Sequence, residues 1–162
     1  MSLNNEEVYL SDAIAVIDEV LASGGEFRLY PKGTSMLPLL VQGKDSVILK
    51  RKSHDQLKKH DIAFYRRESG QFVLHRIMKI EANGSYTMCG DNQLVMERGI
   101  RADQIIGYVS EIYKGEKLRR LSSLRYRAYM FFWMCMPYRQ IIRFPKRVFF
   151  AIKRRCFGNK SR

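Results

Sequence analysis

Residues 61–66 (DIAFYR) and 71–81 (QFVLHRIMKIE) are rich in β-branched, aromatic and other apolar side chains and flank a Glu68-Ser69-Gly70 turn. That arrangement commits the middle of the chain to a β-hairpin. A second reversal at Asn83-Gly84 leads into a strand at 85–89, and residues 105–113 (IIGYVSEIY) read as a further one. Upstream, strands are expected at 26–30 and 46–50, with a Gly43-Lys44-Asp45 turn before the second and a polar loop at 51–59. Only residues 11–23 carry a helical period. Ser11 stands as N-cap, Ala13, Ile14, Val16, Ile17, Val20 and Leu21 form the apolar stripe, and Gly24-Gly25 stops the helix. One helix followed by many short strands argues for a mainly-β domain, a barrel or coiled sheet, rather than alternating βα units.

Charge divides the chain. The net charge of 162 residues is +13, yet from Lys114 onward there are 15 Lys or Arg and one acid, Glu116, leaving 14 basic against 15 acidic residues before it. A neutral body of residues 1–115 and a basic, aromatic tail of residues 116–162 are therefore expected, the tail as two or three short helices broken near Pro137 and Pro145. Cys89, Cys135 and Cys156 are odd in number, far apart and without a CxxC pair, which argues against a disulfide framework or a metal site and for reduced thiols. No cofactor-binding motif stands out.

Chemistry concentrates at three places. In Gly33-Thr34-Ser35-Met36-Leu37-Pro38, glycine permits a tight turn and proline can start a helical one, so that Ser35 can be exposed at the rim of a sheet with its own N–H free as an oxyanion donor. His75 lies in the second arm of the hairpin, on one face with Val73 and Ile77 and opposite Leu74, Arg76 and Met78. Imidazole suits the task of activating a serine near neutral pH, although a histidine in an apolar strand is also an ordinary hydrogen-bonded core residue. Asp91 in Cys89-Gly90-Asp91-Asn92 and Glu97 in Met96-Glu97-Arg98 are the acids that could fix the imidazole tautomer; Gly-Asp-Asn is equally a turn signal.

The order of these elements (GTSMLP, then HDIAFY with VLHRI, then CGDN and a closing IIGYV) resembles the signal peptidase I superfamily, which includes the self-cleaving domains of LexA-type repressors. The resemblance covers residues 28–112. Histidine rather than lysine at position 75 is similar to the endoplasmic-reticulum-type signal peptidases, which use a Ser–His–Asp arrangement. The resemblance implies a coiled mainly-β catalytic domain and a serine endopeptidase acting on an extended leader- or signal-peptide-like substrate, without a cofactor. Ser35 would be nucleophile and His75 general base, with Gly33, Thr34, Met36 and Pro38 shaping the nucleophile turn and oxyanion site. Glu97 matches the position of the family's acid, one methylene longer, and Asp91 is the alternative. Two departures stand out: Gly33 replaces a serine that helps the oxyanion hole in many relatives, and the N-terminal membrane anchor is replaced by an acidic helix. The Gly33 departure, with glutamate at position 97 where the family has aspartate, motivates a second reading, an inactive pseudo-peptidase serving as a peptide-binding or membrane-surface adaptor.

The first twenty residues have no basic region or long apolar run, so a cytoplasmic location is expected. In residues 118–157 aromatic and basic side chains interleave, a composition suited to an anionic membrane interface, which would make the protein peripheral at the inner membrane face. Packing of those aromatics against the body is the competing reading. A nucleic-acid partner is disfavoured by the neutral body and the lack of a helix-turn-helix ahead of the peptidase-like region.

Overall fold

The apolar hairpin forms the centre of the molecule. The computed structural model describes the backbone of residues 5–134 and the side chains of residues 14–132. Strand β3 (Ile62–Arg66) pairs antiparallel with β4 (Phe72–Ile80), placing Ala63 opposite His75 and Tyr65 opposite Val73. Alternation along these strands sends Ala63, Tyr65, Val73 and Ile77 to one face, where they join Tyr86, Met88, Ile100 and Ile105 in the core. The opposite face of β4 is covered as well, since every residue from Val73 through Ile77 is buried.

Around the hairpin the remaining strands complete an antiparallel, eight-stranded sheet: β1 (Phe27–Leu29), β2 (Asp45–Lys50), β5 (Tyr86–Cys89), β6 (Glu97–Ile100), β7 (Ile105–Lys114) and β8 (Lys117–Arg119). The order is β1-β2-β7-β3-β4-β5-β6, with β8 paired to β7. The long β7 is thus inserted between β2 and β3 and pairs with both. The fold is mainly β, and the described residues also form two α-helices, α1 (Asn5–Ala22) and α2 (Leu124–Met134).

Three elements depart from the sequence expectations. α1 begins at Asn5 rather than after Ser11, so Ser11 lies inside the helix and is not its N-cap. β6 (ERGI) was not foreseen because a polar edge strand with one buried apolar residue, Ile100, has no hydrophobic alternation to betray it. β8 (KLR) was missed for the same reason. Its hairpin with β7 draws residues 117–119 into the sheet, so the chain divides between Leu121 and Ser122, not at the expected 115. The second unit, residues 122–162, is described only as far as α2 (Leu124–Met134). Most of the tail proposed to meet a membrane therefore lies outside the described residues, as do Cys135 and Cys156. Among the described residues no helix is long and apolar enough to cross a membrane.

Two features fix the parts of the first unit that matter for the site. Asp45, 1% exposed, accepts hydrogen bonds from the Val41 N–H at 2.7 Å and the Gly115 N–H at 3.2 Å and pairs with Lys114, whose ammonium also donates to the Leu39 carbonyl at 2.8 Å. The end of the β1–β2 loop is thereby tied to β7. α1 buries Ile17 and Leu21, and it approaches β7 where residue 107 is glycine: a Cβ there would lie 2.9 Å from Leu21 Cδ1 and 3.0 Å from the Lys50 carbonyl oxygen. Because Lys50 O belongs to the neighbouring strand and cannot swing away, Gly107→Ala is expected to lower stability by about 1–3 kcal/mol in urea denaturation. An unchanged midpoint would show that the helix does not depend on this close approach.

Candidate active site

The serine turn is built from its backbone outward. Gly33 sits at φ +86°, a left-handed conformation that other residues adopt at a cost, and its N–H donates to Gln42 Oε1 at 2.7 Å. The chain then turns, with the Leu37 N–H donating to the Thr34 carbonyl at 3.2 Å and the Leu40 N–H to the Met36 carbonyl at 2.9 Å. Met36, Leu39 and Leu40 are buried and root the turn in the core, while Thr34 and Pro38 are exposed and Ser35 is half-buried. Among the described residues no hydrogen bond occupies the Ser35 N–H. The Gly33 N–H is bonded to Gln42, so the Ser35 N–H rather than that of Gly33 is open to an acceptor.

Asn92 latches this turn to the other end of the sheet order. Its N–H donates to the Ser35 carbonyl at 2.7 Å, and its side-chain amide donates to the Thr34 carbonyl at 3.0 Å. The contact is possible because residue 90 is glycine. A Cβ there would lie 2.7 Å from the Ser35 carbonyl oxygen and 3.1 Å from His75 Cδ2. The Ser35 carbonyl oxygen and His75 Cδ2 thus both border the space a Gly90 side chain would need, and Cδ2 is bonded to Nε2. That edge of the ring is the one turned toward the serine turn.

The other edge of the His75 ring meets an acid. Nδ1 lies 3.3 Å from Glu97 Oε1 and 3.1 Å from the Tyr65 hydroxyl, which itself donates to Glu97 Oε2 at 3.0 Å. Arg67 grips the same carboxylate with two nitrogens, Nε reaching Oε2 at 2.7 Å and Nη2 pairing with Oε1. Burial raises the Glu97 carboxyl's pKa, but hydrogen bonds from Arg67 and Tyr65 outweigh it and hold the group below its usual range. Burial of His75, 1% exposed, is the largest influence on its ring and disfavours imidazolium. Glu97 opposes that effect and Arg67 adds to it, leaving a pKa lowered to about 4. The imidazole is neutral at pH 7, with a free lone pair to act as a base.

Asp91, the second acid candidate, is differently employed. Both of its oxygens receive Arg76, Nε at 2.8 Å and Nη2 at 2.6 Å, in a pair that is almost wholly buried, and Arg76 Nη1 also donates to the His60 carbonyl at 2.8 Å. Asp91 anchors the turn that carries Gly90 and Asn92, whereas Glu97 faces the imidazole. Tyr65 and Arg67 do not stand out in the sequence, and Gly90 and Asn92 stand out there only as part of the Gly-Asp-Asn turn. Tyr65 could have been found from the hairpin register, which sets it diagonal to His75 on the same face; the rest depend on contacts between distant loops. Among the described residues no cluster of three or more His, Cys, Asp or Glu is placed to hold a metal ion.

A comparison of the chain with models of known protein families finds no match, and a search of curated proteins finds none either.

Two measurements test this arrangement without reference to activity. The lowered His75 pKa implies stability that is complete above the unfolded value of 6.5 and is lost as pH falls toward about 4, because the unfolded ring takes up its proton first. The wild type is expected to lose about 2–3 kcal/mol more than His75→Gln between pH 7 and 4.5 in urea denaturation. Equal losses would mean that the ring is not held neutral. Separately, Asp91→Ala strands a buried guanidinium and is expected to cost about 3–5 kcal/mol, most of it recovered in Arg76→Met/Asp91→Leu. If the double variant is as unstable as the single one, uncompensated charge is not the source of the loss.

Proposed function

We propose that the protein is a serine endopeptidase of the signal peptidase I type, with a coiled catalytic sheet of that kind, cutting an extended leader- or signal-peptide-like substrate. The observation that carries the reading is the opposed use of the two sides of His75: Nδ1 faces Glu97, while the edge bearing Nε2 borders the Ser35 turn. In this scheme the Ser35 hydroxyl swings onto Nε2, a contact that in such sites tightens when substrate arrives. Oγ attacks the scissile carbonyl as its proton passes to Nε2, and the Ser35 N–H stabilises the oxyanion. The imidazolium then protonates the leaving amine, and water attacks the acyl-serine by the same route in reverse. Glu97, kept ionised by Arg67, offsets the charge of the transient imidazolium, which the buried site would otherwise oppose.

The oxyanion site favours a slow enzyme and keeps the adaptor reading in view. The Gly33 N–H is committed to Gln42, and Gly33 has no side chain to donate a bond. Loss of one such donor costs about 10²–10³ in rate where nothing replaces it. The two readings part in a labelling experiment. A fluorophosphonate probe is expected to modify Ser35 in the wild type, with no labelling in Ser35→Ala and at least about a 10³-fold slower reaction in His75→Ala, both variants remaining folded by circular dichroism. Absent labelling in a wild type that still binds leader-like peptides would favour the adaptor. Peptide cleavage retained by Ser35→Ala would overturn the peptidase reading outright.

A further inference from the structure

Behind His75 stands a chain of groups in which each proton has one available place. Glu97 is gripped by two nitrogens of Arg67, which also pairs with Gln71 through Nη1. An ionised carboxylate only accepts hydrogen bonds. The Tyr65 hydroxyl, 3.0 Å from Glu97 Oε2, has one proton, and it goes to that carboxylate. Burial and the neighbouring Glu97 charge push the Tyr65 phenol well above its usual pKa, so that proton stays throughout the working range. What Tyr65 then offers His75, 3.1 Å away at Nδ1, is an oxygen lone pair, and Glu97 Oε1 offers another acceptor at 3.3 Å. Nδ1 therefore faces acceptors alone and must carry a hydrogen. A neutral imidazole has one such hydrogen, so Nε2 is left bare on the side that borders Gly90 and Ser35.

We propose that Tyr65 is a positioning residue of this site, its hydroxyl fixing the His75 proton on Nδ1, with Arg67 enforcing the direction of that bond by keeping Glu97 an acceptor. Glu97 by itself stands slightly beyond ordinary N–H···O reach of the ring, and Tyr65 closes the gap. The charged groups that bear on His75 come from three directions: Glu97 on β6, Arg67 just past β3, and Asp91 in the turn after β5. Tyr65 is well suited to the role because its ring is wholly buried among Val73 and Ile77, which fixes where the hydroxyl points. The importance of the tautomer rests on the peptidase reading, since a bare Nε2 is what a serine nucleophile needs; the tautomer itself does not.

The test is ¹⁵N NMR of the full chain labelled at histidine, whose three rings, His54, His60 and His75, are separated by the signal lost in His75→Gln. At pH 7 the wild-type His75 is expected to carry its proton on Nδ1. In Tyr65→Phe, which keeps the buried ring, the population is expected to move several-fold toward Nε2–H. Cleavage should then show kcat reduced about ten- to a hundredfold with KM little changed. Arg67→Gln, at a half-buried position, is expected to raise the pH at which His75 titrates, because it removes a cation that opposes imidazolium; Arg67→Lys should restore much of the wild-type value. A wild-type proton on Nε2, an unchanged tautomer in folded Tyr65→Phe, or an unmoved titration in Arg67→Gln would each overturn the proposal. Failure of the peptidase reading would appear separately, as cleavage surviving Ser35→Ala or an unlabelled wild type, with the NMR result standing.

Discussion

Arg76 and Asp91 are oppositely charged, almost wholly buried and joined by two parallel hydrogen bonds, and much of the site depends on the position they impose. Arg76 alternates with His75 along β4, so it leaves the strand on the opposite face from the imidazole. By seizing Asp91 it draws the turn after β5 back against β4, and that turn carries both Gly90, whose lack of a side chain leaves room for the imidazole, and Asn92, which holds the Ser35 turn. A buried ion pair of this kind adds little net stability compared with well-packed apolar groups. Its value here is geometric, because a bidentate guanidinium–carboxylate contact sets both distance and orientation.

The serine turn is held from both sides by polar contacts to backbone. Asn92 fastens the carbonyls of Thr34 and Ser35, Gln42 fastens the Gly33 N–H, and Asp45 with Lys114 secures residues 39–41 further along. Met36, Leu39 and Leu40 supply the apolar anchorage beneath. A loop so long would otherwise lose much of its precision to conformational entropy. With carbonyls committed and the Ser35 N–H left over, the turn presents a donor and a hydroxyl together, a combination suited to binding a developing oxyanion.

Burial and hydrogen bonding pull His75 in opposite directions. A ring shut away from water resists protonation, while the Glu97 charge favours it and the Arg67 charge opposes it. The outcome is a weak base that remains unprotonated over a wide pH range. Such a base can accept a proton productively only if the imidazolium is stabilised as it forms, and the ionised Glu97 beside Nδ1 is the group placed to do so.

The mainly-β class, the central hairpin and the positions of most strands could be read from residues 26–113, because short apolar runs between turn residues report local geometry directly. Ser35, His75 and both acids were legible as candidates, since their residue types and neighbours are local properties. The polar strands β6 and β8 escaped notice, as did the early start of α1, because pairing and packing rather than pattern decide them. The assignment of the two acids was also beyond sequence. Asp91 and Glu97 are six residues apart, and either could have approached the imidazole. Only the sheet order, which inserts β7 beside β2 and lets the β1–β2 and β5–β6 loops meet, turns Asp91 to Arg76 and Glu97 to His75. Sequence by itself determined which side chains were available for chemistry, whereas tertiary structure decided which edge of His75 each would face, because hydrogen bonds are directional and their partners here lie far apart along the chain.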